Sequence, residues 1–240
     1  MTRILLLGGT TEASRMAEAL AKAGIPAIFS YAGRTAAPVA QPLPMRIGGF
    51  GGAEGLAAFL RREAITTVID ATHPFAAQIS RNAIAACDAA GMPLLALERP
   101  AWAVDPGWLR VPDVQSAALA LPPEPSRVFL AIGRQNLEPF AAHPHAYLLR
   151  LVDPPEALPL RADHVVARGP FTVLGDLALL RDWRAHIVVA KNAGGAGAEA
   201  KITAARQLGL SVILIDRPVL PPRRVVRTVE EALHSIPLGV

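Results

Sequence analysis

Short apolar runs alternate along the chain with longer stretches in which apolar residues recur at helical spacing. The first such unit is the clearest. A strand over Arg3–Leu7 is followed by the turn Gly8–Thr11 and by a helix over Glu12–Ala23, which Gly24 ends. This alternation predicts βαβ units, in which parallel strands lie side by side and helices cover both faces of the sheet.

The alternation restarts after a proline-rich passage. Prolines punctuate residues 98–126, and strands and helices resume beyond them. The length of 240 residues suits one large or two small domains, and the restart favours two. We therefore predict an α/β fold with two Rossmann-like parallel-sheet domains, residues 1–110 and 111–240, whose boundary lies somewhere within 98–126.

Composition excludes several classes of protein. Hydrophobic residues make up 52% and charged residues 18%, so the chain can build a large core. The longest stretches without a charged residue, 35–45 and 139–149, contain prolines and are shorter than the roughly 20 residues of a membrane span. The apolar run Ile4 to Leu7 is too short for a signal peptide. The single cysteine, Cys87, excludes a disulfide framework, and we expect a reducing, cytoplasmic location.

The charge balance favours a small anionic ligand. Lys and Arg number 24 against 20 Asp and Glu, a net charge of +4. The basic residues are scattered and aromatics are only 5%, so we expect no nucleic-acid surface. The six histidines lack the spacing of metal ligands, so we expect no metal site.

The first two strand ends point to a dinucleotide. Gly8, Gly9, Thr10 and Thr11 join strand one to a helix, where glycines and free amide groups suit a diphosphate. A tight βα connection explains the same turn equally well. The end of strand two has no carboxylate for a ribose hydroxyl; Ser30 and Arg34 stand there instead. This predicts NADPH over NADH, unless Arg34 is a solvated loop residue.

A third strand end gathers groups suited to catalysis. Asp70, Thr72 and His73 follow the strand Thr67–Asp70. His73 is a candidate proton donor because an imidazole ionises near neutral pH. The alternative is structural: Pro74 at the first position of a helix, with Thr72 or His73 as its cap.

The second half of the chain offers a further anion-binding loop. Lys191 and Asn192 leave a buried strand ahead of a glycine-rich turn, and Lys201 follows in the next helix. Arg134 lies in a similar turn after the strand Val128–Ile132. These residues are candidates for binding an anionic substrate, although a solvated helix face is an alternative position for Lys201.

Several blocks together resemble the precorrin-6A reductases. They are Gly8–Ala13, Asp70–Ala76, Lys191–Gly195, Lys201–Arg206 and Asp216–Pro218, in the order typical of that family. The departure is Ala193, where many relatives have serine or a similar small residue, so a hydroxyl contact there is in doubt.

The resemblance implies an NADPH-dependent reductase of the corrin pathway to cobalamin. Its reaction, precorrin-6A to precorrin-6B, adds a hydride to one carbon of a C=C bond and a proton to its neighbour. The implied fold has a cleft between its domains. The cofactor diphosphate would lie on Gly8–Thr11 and its 2′-phosphate on Ser30 and Arg34. Asp70, Thr72 and His73 would lie near the nicotinamide and the macrocycle. Lys191, Asn192 and Lys201 would bind the tetrapyrrole, and we add Arg134 to these candidates from its place after a strand.

Three alternatives remain open. The substrate could be the cobalt-containing macrocycle, because cobalt carried by the substrate needs no protein ligand. A nucleotide- or tetrapyrrole-binding protein without turnover would show the same glycine turns. A reductase of an unrelated anionic substrate is the third. A place in the corrin pathway also implies transient hand-over of the macrocycle to neighbouring enzymes.

Overall fold

The computed structural model describes residues 2–33 and 38–237, which contain every element named below. The strands are β1 (Ile4–Leu7), β2 (Ala27–Tyr31), β3 (Met45–Ile47), β4 (Thr67–Asp70), β5 (Leu94–Leu97), β6 (Leu109–Val111), β7 (Arg127–Ala131), β8 (Ala146–Leu151), β9 (Asp163–Val166), β10 (Ile187–Lys191), β11 (Ser211–Ile215) and β12 (Arg224–Val226). The helices are α1 (Thr11–Lys22), α2 (Gly52–Arg62), α3 (Ala77–Ala90), α4 (Val114–Leu119), α5 (Val173–Asp182), α6 (Ala200–Gln207) and α7 (Val229–His234). Within these ranges no helix has the length and apolar character needed to cross a bilayer.

The strands form two parallel sheets that share one order. The first runs β3-β2-β1-β4-β5-β12 and the second β9-β8-β7-β10-β11-β6. In each sheet the chain moves outward from a central strand, β1 or β7, and later resumes on the other side with β4 or β10. This is the doubly wound order of dinucleotide-binding folds, and it confirms the predicted pair of Rossmann-like parallel-sheet domains.

The division into two units differs from the predicted one at the C-terminal side. One unit comprises Met1–Pro100 together with Val219–Val240, and the other is Ala101–Pro218. The break after Pro100 falls within the predicted interval 98–126. Residues 219–240 return to the first unit because β12 pairs with β5. The second unit takes its own outermost strand, β6, from the proline-rich passage, where it pairs with β11.

Both faces of the first sheet are buried. Along β1, Leu6 packs with Met16 of α1, whereas the neighbouring Leu5 packs on the opposite face with Leu60 of α2. Helix α7 joins α1, and α3 joins α2. Because successive strand residues point to opposite sides, covering both faces requires continuous apolar runs. Helix α1 follows β1 and α3 follows β4, so the loops after these two strands lead to helices on opposite faces.

The sequence between β7 and β8 predicts a helix near Leu137–Ala142, and this prediction is wrong. Short 3₁₀ turns lie at Arg134–Asn136 and Glu138–Phe140, since Pro139 and Pro144 leave too little room for α-helical bonding. Another 3₁₀ turn, Ala196–Ala198, precedes α6. The sequence from Thr228 to Glu231 predicts a capping box at the start of α7, in which each of these two side chains accepts the backbone N–H of the other. Thr228 Oγ1 does accept the Glu231 N–H, at 3.1 Å. The Glu231 carboxylate, however, accepts the N–H of Arg227 and not that of Thr228.

A neutral histidine lies in the second unit just before β8. The Nδ1 atom of His145 accepts the backbone N–H of Ser126 at 3.1 Å. Its Nε2 atom is buried, and no described residue bonds to it. The ring stacks parallel to His143, with centroids 6.0 Å apart. Burial, followed by the charge of His143, lowers the pKa of His145 below its ordinary 6.5. The folded protein therefore disfavours the charged imidazole.

This geometry predicts a pH-dependent loss of stability. Because the pKa of His145 is lower in the folded than in the unfolded chain, the unfolded chain binds more protons as the pH falls through 6.5. His145→Asn keeps an acceptor for Ser126 but cannot titrate. We expect its free energy of unfolding, from urea titrations across this pH range, to fall less than that of the wild type. Identical pH profiles for the two proteins would contradict the assignment.

Candidate active site

Two neighbouring strand ends in the first unit flank the switch point of its sheet, where doubly wound folds have their binding crevice. Strands β1 and β4 pair side by side, and their loops diverge to opposite faces of the sheet. Such a divergence is where open parallel sheets bind ligands. The Thr10 hydroxyl donates to the carbonyl of Ala71 at 2.8 Å and so joins the two loops. This bond places the predicted glycine turn beside the predicted catalytic residues.

The glycines of the first turn meet different requirements. A β-carbon on Gly8 would lie 2.1 Å from the Phe29 ring, so packing against the sheet excludes any larger residue there. Gly9 has a φ of +124°, and a β-carbon there would meet nothing within 4 Å. Gly8 is thus explained by the protein itself, whereas the backbone at Gly9 is open to a ligand.

The start of α1 supplies amide groups rather than hydroxyls. Thr10 caps the helix by accepting the Ala13 N–H at 3.1 Å, and its own proton goes to Ala71. The proton of the Thr10 hydroxyl is therefore committed within the protein rather than available to a diphosphate. Thr11 is exposed in the first turn. The first N–H groups of a helix have no acceptor within it, so this turn retains the features of an anion site.

At the end of β2 the structure supplies a basic residue that the sequence analysis missed. Ser30 is buried, and its Oγ accepts from Nη1 of Arg46 at 2.8 Å. Arg46 is the central residue of β3 and pairs with Ser30 in the sheet. The predicted Arg34 lies outside the described residues. A basic residue inside an otherwise apolar edge strand was the signal available for Arg46, but only the strand register brings it to Ser30.

Asp70 and Thr72 form a hydrogen-bonded pair at the end of β4. Asp70 is only 4% exposed, and its Oδ1 accepts both the N–H of Thr72 at 3.1 Å and its hydroxyl at 2.7 Å. Thr72 Oγ1 lies 3.4 Å from the hydroxyl of Ser80 on α3. No residue in the described ranges donates to the other oxygen of Asp70, Oδ2. The carboxylate is therefore an oriented acceptor with one oxygen uncommitted.

His73 is exposed in the loop before α3. Its Nδ1 accepts the backbone N–H of Phe75 at 3.2 Å, so the neutral ring carries its proton on Nε2. The structural alternative for this segment is wrong. Helix α3 begins at Ala77, its cap is Ala76, and neither Thr72 nor His73 caps it, since the intervening residues form a turn closed by the Ala76 N–H on the carbonyl of His73.

In the second unit, Asn192 holds a tryptophan rather than projecting from the loop. Its Oδ1 accepts the backbone N–H of Trp102 at 2.8 Å, and its Nδ2 donates to the Trp102 carbonyl at 3.3 Å. The Trp102 indole donates in turn to the carbonyl of Gly195 at 3.0 Å. Asn192 is 5% exposed. Its amide therefore fixes the base of the glycine-rich loop.

Lys201 is buried and not on a solvated helix face. Its Nζ donates to the carbonyl of Ala198 at 2.5 Å and lies 4.7 Å from the ring centre of Trp102. Lys191 is half-buried at the end of β10, and Arg134 is exposed after β7, the neighbouring strand. Of the four predicted substrate residues, two thus lie at adjacent strand ends and two pack against Trp102.

Comparisons with known proteins converge on one family. A family model described as precorrin-6x reductase CbiJ/CobK matches residues 3–237. A precorrin-6A reductase of Rhodobacter capsulatus is 63% identical over 235 residues, covering 96% of this chain and 94% of its own. A cobalt-precorrin-6A reductase of Synechocystis is 31% identical over 242 residues, with coverages of 94% and 92%. The solved structure of the CobK precorrin-6A reductase has a TM-score of 0.93 at 62% identity and covers 98% of this chain and 95% of that one.

The Asn192 contacts predict a loss of stability on substitution. Asn192→Ala leaves the buried N–H and carbonyl of Trp102 without partners, and we expect unfolding free energy to fall by about 1–3 kcal/mol in urea titrations. Asn82→Ala, at a less buried position on α3, serves as a control and is expected to change stability by less than about 0.5 kcal/mol. Unchanged stability with weakened substrate binding would instead assign Asn192 a direct contact.

Proposed function

The chain belongs to the family of CbiJ/CobK precorrin-6x reductases, and we propose that it catalyses the NADPH-dependent reduction of precorrin-6A to precorrin-6B in cobalamin biosynthesis. The observation that carries this proposal is the crevice between β1 and β4. There the Thr10 hydroxyl joins the start of α1 to the loop that follows Asp70, and Asp70 has one uncommitted oxygen. The identity of 63% to a precorrin-6A reductase favours the metal-free substrate over the cobalt form.

The residues of the crevice fit a nicotinamide dinucleotide. The amides of the Gly8–Thr11 turn suit its diphosphate, and Gly9 leaves room for close approach. The end of β2 offers a hydroxyl and a guanidinium, Ser30 and Arg46, in place of a carboxylate, which favours the 2′-phosphate of NADPH. Reduced nicotinamide supplies a hydride when it is bound.

Asp70 orients ligand rather than donating a proton. Both hydrogen bonds to its Oδ1 come from donors of Thr72, so that oxygen acts as an acceptor. Oδ2 is left to accept from a hydroxyl or amide group of a bound cofactor. Thr72 fixes the carboxylate, and Ser80 lies behind Thr72. A fixed acceptor limits the orientations that a bound ring can adopt, which raises the fraction of productive encounters.

His73 is the residue of this loop that can deliver the proton. The bond from the Phe75 N–H to Nδ1 fixes the ring tautomer and leaves the proton on Nε2. Reduction of a C=C bond needs one proton for each hydride. A neutral imidazole is too weak an acid for this step, so His73 donates from its imidazolium form. Solvent can supply that form because His73 is exposed, and donation returns the neutral ring.

Substrate binding falls to the second unit in this proposal. Arg134 and Lys191 follow adjacent strands and are suited to the carboxylate arms of a tetrapyrrole. Asn192 and Lys201 support the intervening loop through Trp102. The net charge of +4 favours encounter with a polyanion.

An assay separates the proposed activity from its rivals. Purified protein with NADPH and precorrin-6A is expected to oxidise the cofactor in one-to-one proportion with the precorrin-6B formed, measured by absorbance and mass spectrometry. The cobalt form of the substrate is expected to react more slowly. Binding of both ligands without oxidation of NADPH would identify a carrier and overturn the proposed reaction.

Replacement of His73 tests the proton donor. His73→Asn retains an acceptor for the Phe75 N–H and removes the acid, and we expect kcat to fall by about 10²–10⁴-fold. The variant is also expected to lose the limb of the pH–rate profile due to this group. His164→Asn, which changes an exposed histidine of β9, serves as the control. An unchanged rate and pH profile would return His73 to a structural role.

A further inference from the structure

The guanidinium of Arg46 is fixed by neutral oxygens at the carboxyl edge of the first sheet. Nη1 donates to Ser30 Oγ at 2.8 Å and to the carbonyl of Gly48 at 2.9 Å, and Nη2 donates to the carbonyl of Gly49 at 3.0 Å. The guanidinium carbon lies 3.8 Å from the ring centre of Phe50. The side chain is thus held in one orientation by three bonds and one aromatic face.

This cation has no anionic partner in the described part of the chain. Its three bonds use three of the five N–H groups of a guanidinium, and no described residue accepts from the remaining two, on Nε and Nη2. Burial lowers the pKa of Arg46, and the positive charge of the nearby Arg62 lowers it further. A partly buried cation beside a second cation lowers its energy by binding an anion.

Ser30 presents a second donor to the same place. It is 4% exposed, and its oxygen already accepts from Arg46. No described residue accepts the Ser30 hydroxyl proton. A buried hydroxyl without an acceptor is costly unless a ligand supplies one. Three unsatisfied donors therefore adjoin one another where β2 and β3 end.

We propose that Arg46, with the hydroxyl of Ser30, binds the 2′-phosphate of NADPH and sets the preference for the phosphorylated cofactor. The inference rests on the proposed function, because it takes NADPH as the cofactor of the crevice. The end of the second strand is where dinucleotide folds recognise the adenosine ribose. A phosphate carries nearly two negative charges at neutral pH, and a planar guanidinium binds it through two N–H groups at once.

A rival explanation is that Arg46 only stabilises the turn of Gly48–Phe50. Its bonds to two carbonyls of that turn fit this view. The two roles differ in what they predict for ligands. A turn-stabilising residue affects all nucleotides alike, whereas a phosphate-binding residue discriminates between nucleotides that differ by one phosphate.

Calorimetric titration with 2′,5′-ADP and with ADP tests the proposal without the macrocycle. Arg46→Met keeps the apolar contact with Phe50 and removes the charge. We expect this substitution to lower the affinity for 2′,5′-ADP by about 10–100-fold and the affinity for ADP by less than about twofold. Arg62→Met removes a neighbouring, largely exposed cation and is expected to leave both affinities unchanged. Ser30→Ala is expected to lower the affinity for 2′,5′-ADP to a smaller extent and to leave the affinity for ADP unchanged.

The remaining outcomes distinguish the role of Arg46 from the proposed reaction. Equal weakening of both nucleotides by Arg46→Met, or no weakening, in a protein with wild-type circular dichroism overturns the role of Arg46. If that variant does not fold, Arg46→Lys replaces it, and selective loss of 2′,5′-ADP binding is again the expected result. Selective binding by a wild-type protein that fails to reduce precorrin-6A would refute the proposed reaction and leave this inference intact. Folded wild type that binds neither nucleotide overturns both.

Discussion

Parallel strands that are buried on both faces can offer a ligand only their ends. In both units the central strands are mainly apolar, and three buried polar side chains lie at or just after strand ends: Ser30 near the end of β2, Asp70 at the end of β4 and Asn192 after β10. Burying such groups is unfavourable unless hydrogen bonds satisfy them, so each is fixed by a partner. The partners decide what remains for a ligand. Asp70 keeps one oxygen uncommitted, whereas both polar atoms of the Asn192 side chain bond to Trp102.

Much of the fold followed from local pattern. Apolar runs and glycine turns located the central strands β1, β4 and β7 within one residue, because burial on both faces leaves a continuous signal. The edge strands β6 and β12 were missed, since three-residue segments among prolines have no periodicity. The return of residues 219–240 to the first unit depends on a pairing between β12 and β5, distant in sequence, which no local rule predicts.

The site was predicted in position more reliably than in detail. The glycine turns and the loop after β4 occur where expected, but residue type did not determine what each side chain does. The sequence indicated ligand-binding roles for Asn192 and Lys201, and the structure adds that both contact Trp102 or the loop beside it. Arg46 belongs to no motif in the sequence, yet its guanidinium donates a hydrogen bond to Ser30. Such roles depend on which side chains the register of the sheet places together.

The pairing of β12 with β5 bears on how the protein is made. The sheet that carries the proposed nucleotide crevice lacks its outer strand, and α1 lacks the cover of α7, until the whole of the second unit has emerged from the ribosome. An amino-terminal fragment ending at Pro100 would expose the apolar edge of β5 during translation. Maturation of the first half thus waits on synthesis of the second, so that a nascent chain acquires its complete dinucleotide domain only after both halves exist.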